Sequence, residues 1–243
     1  MHISKFFCYF AAMKNQKMYE ADDKLISIIR DNYNILQSLG SFGINLGFGD
    51  KTVREVCEDE GVDTYTFLAV VNFTINGYRD SDDADRLSVH TLMKYLRASH
   101  DYYLGFQLPF IRRELADALD PDNSLAALIL KLYDEYARQI QLHMKYEERM
   151  VFPYVESLLM GRTTPGYDIE TFSKHHGQTD QKLRELKQII IKYLPGKLRT
   201  ADRISMLQDL NALSADLNRH ALIEDKILVP FVEYLEKQRH ENN

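Results

Sequence analysis

The sequence predicts an all-α protein in which a small helical N-terminal domain precedes an up-down-up-down four-helix bundle. Two observations lead to this prediction. Most of the chain after residue 86 consists of four long segments with the three-and-four-residue hydrophobic spacing of amphipathic helices. Short turns rich in Pro, Gly, Asp and Asn separate the segments, and short connections place consecutive long helices side by side in opposite directions.

Length and composition limit the classes of protein to which the chain can belong. With 243 residues, of which 45% are hydrophobic, it can bury one sizeable core and a second small one. Its 30 basic and 36 acidic residues argue against DNA or RNA as a partner, because nucleic-acid affinity depends on Lys and Arg. Two cysteines, Cys8 and Cys57, provide no disulfide framework, so we expect a cytoplasmic protein. No apolar run reaches the roughly 20 residues that span a membrane.

The N-terminal region is predicted to contain an extension, a small domain and a linker. Residues 1–18 are interpreted as an extension that could be disordered, residues 19–80 as the domain, and the charged segment 81–86 as the linker. The predicted helices of the domain cover about residues 21–39, 52–60 and 64–75. A DNA-binding helix-turn-helix is the alternative. It is disfavoured because segment 65–73 has no basic residue and acidic residues precede it.

The bundle is assigned to residues 87–243. Its predicted helices cover about residues 87–117, 124–160, 167–193 and 201–238. The second and fourth of them carry the same motif, which begins His143-Met-Lys-Tyr-Glu147 in one copy and His220-Ala-Leu-Ile-Glu224 in the other, with a Pro following at the same offset. Residues four apart share a helix face, so each copy presents an imidazole and a carboxylate together on the apolar seam. An ionised carboxylate there costs several kcal/mol unless it is paired or binds a metal.

The first and third predicted helices each add a histidine to the interior. His100 lies on the apolar seam of the first helix. In the third helix His175 and His176 are both candidates, and we favour His176 because the seam passes through it while His175 is in line with polar residues. Tyr103, on the seam of the first helix, and Tyr136, on the seam of the second, are candidates for hydrogen bonding around the histidines or for controlling access. Pro109, Pro153 and Pro230 are expected to kink or end their helices just beyond the site.

Six side chains thus predict a metal site: His100, His143, Glu147, His176, His220 and Glu224. If each glutamate bridges two ions, the carboxylates and imidazoles give each ion four protein donors, and an oxo or hydroxo bridge adds a fifth. An octahedral ion then keeps one open position. Imidazole and carboxylate suit iron, manganese or zinc, and zinc usually takes four ligands, so two non-haem iron ions are the favoured cofactor.

The order of these six residues resembles that in the bacterial hemerythrin-like di-iron proteins called repair of iron centres. The resemblance covers about residues 19–240 and includes Leu-Pro after His100 and Phe-Pro or Val-Pro after the glutamates. It implies a hemerythrin-like bundle with a di-iron centre bridged by Glu147 and Glu224. It also implies repair of iron–sulfur clusters damaged by nitric oxide or oxidants, possible donation of iron to these clients, and reduction of nitric oxide.

The N-terminal region resembles the first domain of that family but departs from it at one motif. Phe42-Gly43-Ile44-Asn45 matches, whereas Gly47-Phe48-Gly49-Asp50 stands where the family has Cys-Cys-Gly-Gly. Missing thiols argue against a step that depends on them. The alternative hypothesis is therefore a protein that binds or senses dioxygen or nitric oxide without turnover. A peroxidase or ferroxidase is disfavoured, because such sites usually have more Glu and fewer His.

Overall fold

The computed structural model describes most of the chain. The described residues are 17–77, 86–119, 122, 124–162, 166–173, 179–193 and 200–241. Within these ranges the backbone forms helices and turns and no β-strand, and Lys24 and Thr52 form an isolated bridge. The predicted all-α class is confirmed. The chain divides into two compact units, residues 1–95 and 96–243. The predicted extension and linker fall almost wholly outside the described residues and stay predictions.

The N-terminal unit contains short helices in its described part. In chain order these are α1 (Leu25–Asp31), a 3₁₀ turn (Tyr33–Ile35), α2 (Leu36–Phe42), α3 (Val53–Glu60) and α4 (Thr64–Asn76). The continuous helix predicted over residues 21–39 is wrong, because α1 ends at Asp31 and α2 begins at Leu36. The Asn32 backbone is extended, and its side chain accepts a hydrogen bond from the backbone N–H of Asn34 (3.0 Å). Such local bonds compete with those of a helix.

Side chains determine where α3 and α4 begin. Thr52 and Glu55 form a capping box on α3, in which the Thr52 backbone N–H donates to the Glu55 carboxylate (2.7 Å) and the Glu55 N–H donates to the Thr52 hydroxyl (3.2 Å). On α4 the Asp63 carboxylate accepts from the Thr66 N–H (2.8 Å). Gly61 ends α3 with a φ of +64°, a conformation that costs glycine little. These caps agree with the helix starts predicted from the sequence.

Protonation of Glu55 is expected to loosen the start of α3. Hydrogen bonds from the Thr52 backbone and then from its hydroxyl lower the pKa of the Glu55 carboxyl below the usual 4.5. The ionised form therefore stabilises the folded state above that value, and the contribution is lost as the pH falls through the lowered pKa. Hydrogen exchange of the α3 amides, corrected for the intrinsic rate, should accelerate below pH 4.5 in the parent. Equal acid sensitivity in Glu55→Gln would contradict this prediction.

The core of the N-terminal unit forms around Phe67 of α4, which is fully buried. Its ring centroid lies 5.1 Å from that of Phe42, and Phe42 packs against Tyr95 at 4.6 Å. Tyr95 belongs to the helix that leads into the second unit. Cys57 is buried as well, and burial raises the pKa of its thiol to about 12, so the thiol stays protonated at neutral pH.

Four long helical segments follow residue 88 and correspond to the four predicted ones. The first consists of α5 (Val89–Tyr102), a π-helical turn (Tyr103–Gln107) and α6 (Leu108–Ala118); the second of α7 (Ser124–Tyr146), a π-turn (Glu147–Val151) and α8 (Phe152–Leu159); the third of α9 (Ile169–Ser173) and α10 (Thr179–Tyr193); the fourth of α11 (Thr200–Ile223), a π-turn (Glu224–Leu228) and α12 (Val229–Glu241). Consecutive segments pack together through α6, α7, α10 and α11, and α11 packs back on α6. This closed ring of contacts is that of a four-helix bundle.

The three π-turns occupy the same position relative to a proline. Each turn is closed by a backbone N–H that donates to the carbonyl five residues earlier, as the Leu108 N–H does to Tyr103. Pro109, Pro153 and Pro230 come next in the sequence. Proline lacks an N–H and its ring clashes with the carbonyl four residues earlier in an α-helix. The wider π-turn accommodates the ring, so each helix continues beyond its proline, and the prediction that the prolines could end these helices is wrong.

The bundle core is formed mainly by side chains of α6, α7, α10 and α11. Its largest fully buried side chain, Tyr133, donates from its hydroxyl to the Leu108 carbonyl of α6 (2.8 Å). Leu115, Ile129 and Leu213 are also fully buried there. No helix within the described residues is long and apolar enough to cross a membrane.

Candidate metal centre

Four of the predicted ligands meet in the interior of the bundle. They are His100, Glu147, His220 and Glu224, and one donor atom from each lies within 4.8 Å of the others. Both carboxylates and His100 have no exposed surface, and His220 is 4% exposed. The residues come from three segments. His100 lies just before the π-turn of the first segment, Glu147 begins the π-turn of the second, and Glu224 begins the π-turn of the fourth. The fold therefore brings together four of the six side chains that the sequence predicts as ligands.

The distances between donor atoms fit ligands of a common ion. His100 Nε2 lies 3.0 Å from Glu147 Oε2 and 3.1 Å from His220 Nε2, and His220 Nε2 lies 3.1 Å from Glu224 Oε1. Adjacent donors of an octahedral ion are separated by √2 times the bond length, which is roughly 3 Å for bonds of about 2.1 Å. A buried set of imidazoles and carboxylates at this spacing suits a divalent or trivalent cation, whose charge would offset that of two buried carboxylates.

His143 lies next to this cluster rather than within it. Its Nε2 atom is 2.7 Å from Glu147 Oε1, the expected contact of residues four apart on a helix. The side chain is 27% exposed and its ring stacks on Phe172 of α9, with centroids 6.4 Å apart. Glu147 therefore connects the two histidines, with one oxygen toward His143 and the other toward His100. A carboxylate in this arrangement can bind two ions.

The third segment supplies a predicted ligand that the structure does not test. His176, and the alternative His175, lie outside the described residues, between α9 and α10. His176 stays a prediction.

The structure brings a residue to the site that the sequence analysis missed. Glu148 places its Oε1 atom 3.0 Å from Nδ1 of His100, on the side of the ring opposite the cluster. The copy of the motif in the fourth segment has Asp225 at the same offset. A repeated acid directly after each buried glutamate was the available signal. On a helix, however, the position after a buried residue is usually at the surface, and the Glu148 side chain is 43% exposed.

Of the two tyrosines considered, the structure places Tyr103 against the site. Its ring meets that of His220 edge-on, with centroids 5.7 Å apart and an interplanar angle of 81°, and it is 3% exposed. Tyr103 also begins the first π-turn, the position that Glu147 and Glu224 occupy in theirs. The first segment thus repeats the same local structure with a phenol in place of a carboxylate. Tyr136 is buried in the core beside Tyr133, at 6.4 Å between centroids.

Apolar side chains close the surroundings of the site. Phe152, which is fully buried, stacks on His100 with centroids 5.7 Å apart. The Arg97 guanidinium lies over the Phe152 ring, 5.1 Å from its centroid, and forms an ion pair with Glu156 at 2.9 Å. The four clustered side chains are buried, and electrostatic interactions are stronger in such an environment than in water.

Comparison with known proteins agrees with the geometry of the site. No curated protein matches the chain. Residues 91–232 match the family model described as the Hemerythrin HHE cation binding domain. The matched range contains all six predicted ligands and the three π-turns. Because this match covers more than half of the chain, the protein belongs to the hemerythrin HHE cation-binding family.

Proposed function

We propose that the protein is a cytoplasmic non-haem di-iron protein of the repair-of-iron-centres type, which acts under nitrosative and oxidative stress. In this proposal it repairs damaged iron–sulfur proteins or donates iron to them, and it reduces nitric oxide at its own site. The observation that carries the proposal is the pair of fully buried carboxylates, Glu147 and Glu224, each within 3.1 Å of a histidine on its own helix. Two ionised carboxylates are costly to keep in a core, and bound cations would compensate their charge.

The side chains have distinct roles in this proposal. His100, His143, His176 and His220 would bind the irons through imidazole nitrogens, and Glu147 and Glu224 would bridge them. When bound, the irons would supply an exchangeable position and electrons for nitric oxide or dioxygen. Tyr103 limits the space beside His220, because its ring edge faces the imidazole at a centroid distance of 5.7 Å. Phe152 excludes water from the His100 side.

The test is nitric oxide consumption by the reduced, iron-loaded protein in a stopped-flow instrument. Turnover predicts consumption of many equivalents per chain when electrons are supplied, with loss of this activity in Glu147→Gln. Iron-to-protein ratio and the absorption of an oxo-bridged iron pair are measured on the same sample. A protein that binds no iron, or that loads iron and consumes no nitric oxide and restores no damaged cluster, would overturn the proposal.

A specific observation supports binding or sensing as the second candidate. Gly47 and Phe48 stand where the family has its two cysteines, and the backbone there includes Gly47 and Gly49 with φ values of +102° and +63°. Within the described residues the cysteine is Cys57, which is 1% exposed. Burial raises the pKa of its thiol to about 12. In residues 17–77 of the N-terminal unit, therefore, the structure offers no reactive thiol. Consumption of nitric oxide that stops at saturation of the site would favour this candidate.

A further inference from the structure

His100 is held between two consecutive carboxylates of the second segment. Its Nε2 atom faces Glu147 Oε2 at 3.0 Å, and its Nδ1 atom faces Glu148 Oε1 at 3.0 Å. The π-turn that begins at Glu147 carries both acids. Because the two ring nitrogens point in different directions, one imidazole can contact both side chains at once. The ring orientation is further fixed by stacking on Phe152.

Either ring nitrogen of His100 can donate to the carboxylate that it faces, and a cation held by the cluster would select the tautomer that is protonated at Nδ1. A neutral imidazole has one N–H donor and one acceptor, and an ionised carboxylate can only accept. If Nδ1 donates to Glu148, Nε2 keeps its lone pair and points it toward the cluster of Glu147, His220 and Glu224. Metal-binding histidines commonly have such a carboxylate partner, which orients the ring and increases the basicity of the ligand.

Glu148 differs from the other residues of the site in its exposure. Its side chain is 43% exposed, whereas those of His100 and Glu147 are 1% and 0% exposed. It therefore connects a buried ligand to the protein surface through a single hydrogen bond. Loss of that bond would free the His100 ring to change tautomer without removing any ligand atom from the interior.

We propose that Glu148 is a positioning residue that keeps His100 in its metal-binding tautomer and thereby controls how fast iron leaves the centre. This inference rests on the proposed di-iron function and deepens its iron-donating part. Glu148 itself binds no ion. Its hydrogen bond to Nδ1 makes the bond between His100 and iron persistent.

The experiment compares four proteins loaded with ferrous iron: the parent, Glu148→Ala, Glu148→Gln and Glu135→Ala. Glu135 is an acid on the same segment whose side chain is 50% exposed, and its only described partner is Lys131 at 4.0 Å, so its replacement is the matched control. The rate of iron transfer to a ferrous chelator is measured by absorbance, and the visible spectrum of the centre is recorded on a separate portion of each protein after oxidation by air. Far-UV circular dichroism shows whether each variant is folded.

Removal of the carboxylate in Glu148→Ala is expected to weaken iron binding about 10- to 100-fold, the range seen when such outer partners are removed, and to raise the transfer rate correspondingly. Glu148→Gln keeps an acceptor oxygen and should lie between Glu148→Ala and the parent, with a spectrum close to that of the parent. Glu135→Ala should match the parent. A Glu148→Ala protein that is folded and releases iron at the parent rate overturns the inference.

Two further outcomes separate this inference from the proposed function. If Glu148→Ala fails to fold, Glu148→Gln decides, and a transfer rate and spectrum equal to the parent's would overturn the role of the charge. If iron is released faster in the Glu148 variants while the parent neither consumes nitric oxide nor repairs clusters, the positioning role stands and the proposed function fails. If the parent consumes nitric oxide and the variants release iron normally, the reverse holds.

Discussion

Glu147→Gln and Glu224→Gln are each expected to remove most of the bound iron and, in the metal-free state, to make the protein more stable. Both carboxylates are fully buried within 4.8 Å of two histidines and of each other. In a core without a cation, two ionised carboxylates repel each other and lose their hydration. Glutamine has nearly the same shape and no charge. Removal of one of two like charges held close together in a core relieves their repulsion, so the metal-free variant should unfold at a higher urea concentration than the metal-free parent.

The two effects have opposite signs and are measured on the same proteins. Iron per chain is determined by elemental analysis after reconstitution, and the free energy of unfolding of the chelator-treated protein is taken from urea titrations followed by circular dichroism. Glu135→Gln, an exposed change on the second segment, should alter neither quantity. A glutamine variant with the iron content of the parent would exclude that carboxylate from the site. A metal-free variant less stable than the parent would show that the histidines alone compensate the charge.

The sequence predicts the long helices well because their apolar seams extend over many turns. The second and fourth segments, predicted over 124–160 and 201–238, run from Ser124 to Leu159 and from Thr200 to Glu241. Hydrophobic spacing cannot reveal the π-turns, since a hydrogen bond to the fifth rather than the fourth preceding carbonyl shifts the pattern by a single residue. The prolines were the visible sign of them. Asn32 likewise fits the seam of α1, and only its side-chain bond to Asn34 ends the helix there.

At the site too, sequence spacing predicts contacts within one helix but not contacts between helices. His143 with Glu147 and His220 with Glu224 are predictable because residues four apart share a face. Glu148 is not, because an exposed acid beside a buried one is ordinary on a helix surface, and its contact depends on His100 from another segment. The equivalence of Tyr103 to Glu147 also becomes evident only when the π-turns are aligned. Contacts between segments and changes of helical turn need coordinates.

Iron binding is expected to stabilise the second unit and to leave the N-terminal unit nearly unchanged. A ligand present at 1,000 times its dissociation constant adds about 4 kcal/mol to the free energy of unfolding. For a unit of this size each kcal/mol shifts Tm by about 2–4 °C, so loading should raise the Tm of the bundle by roughly 8–16 °C relative to chelator-treated protein. The gain is local because all the described donor residues, from His100 to Glu224, belong to the second unit.

Hydrogen exchange on the loaded and chelator-treated proteins locates this stabilisation. Protection should increase in the π-turns that begin at Tyr103, Glu147 and Glu224, since these turns carry the ligands or contact them. It should not change in α4 (Thr64–Asn76), which lies in the N-terminal unit. Glu147→Gln is the control, because without this buried carboxylate the addition of iron should shift neither Tm nor exchange. Equal protection in α4 and in the three π-turns would mean that iron stabilises the chain by binding elsewhere, and the buried cluster would lose its assignment as the metal centre.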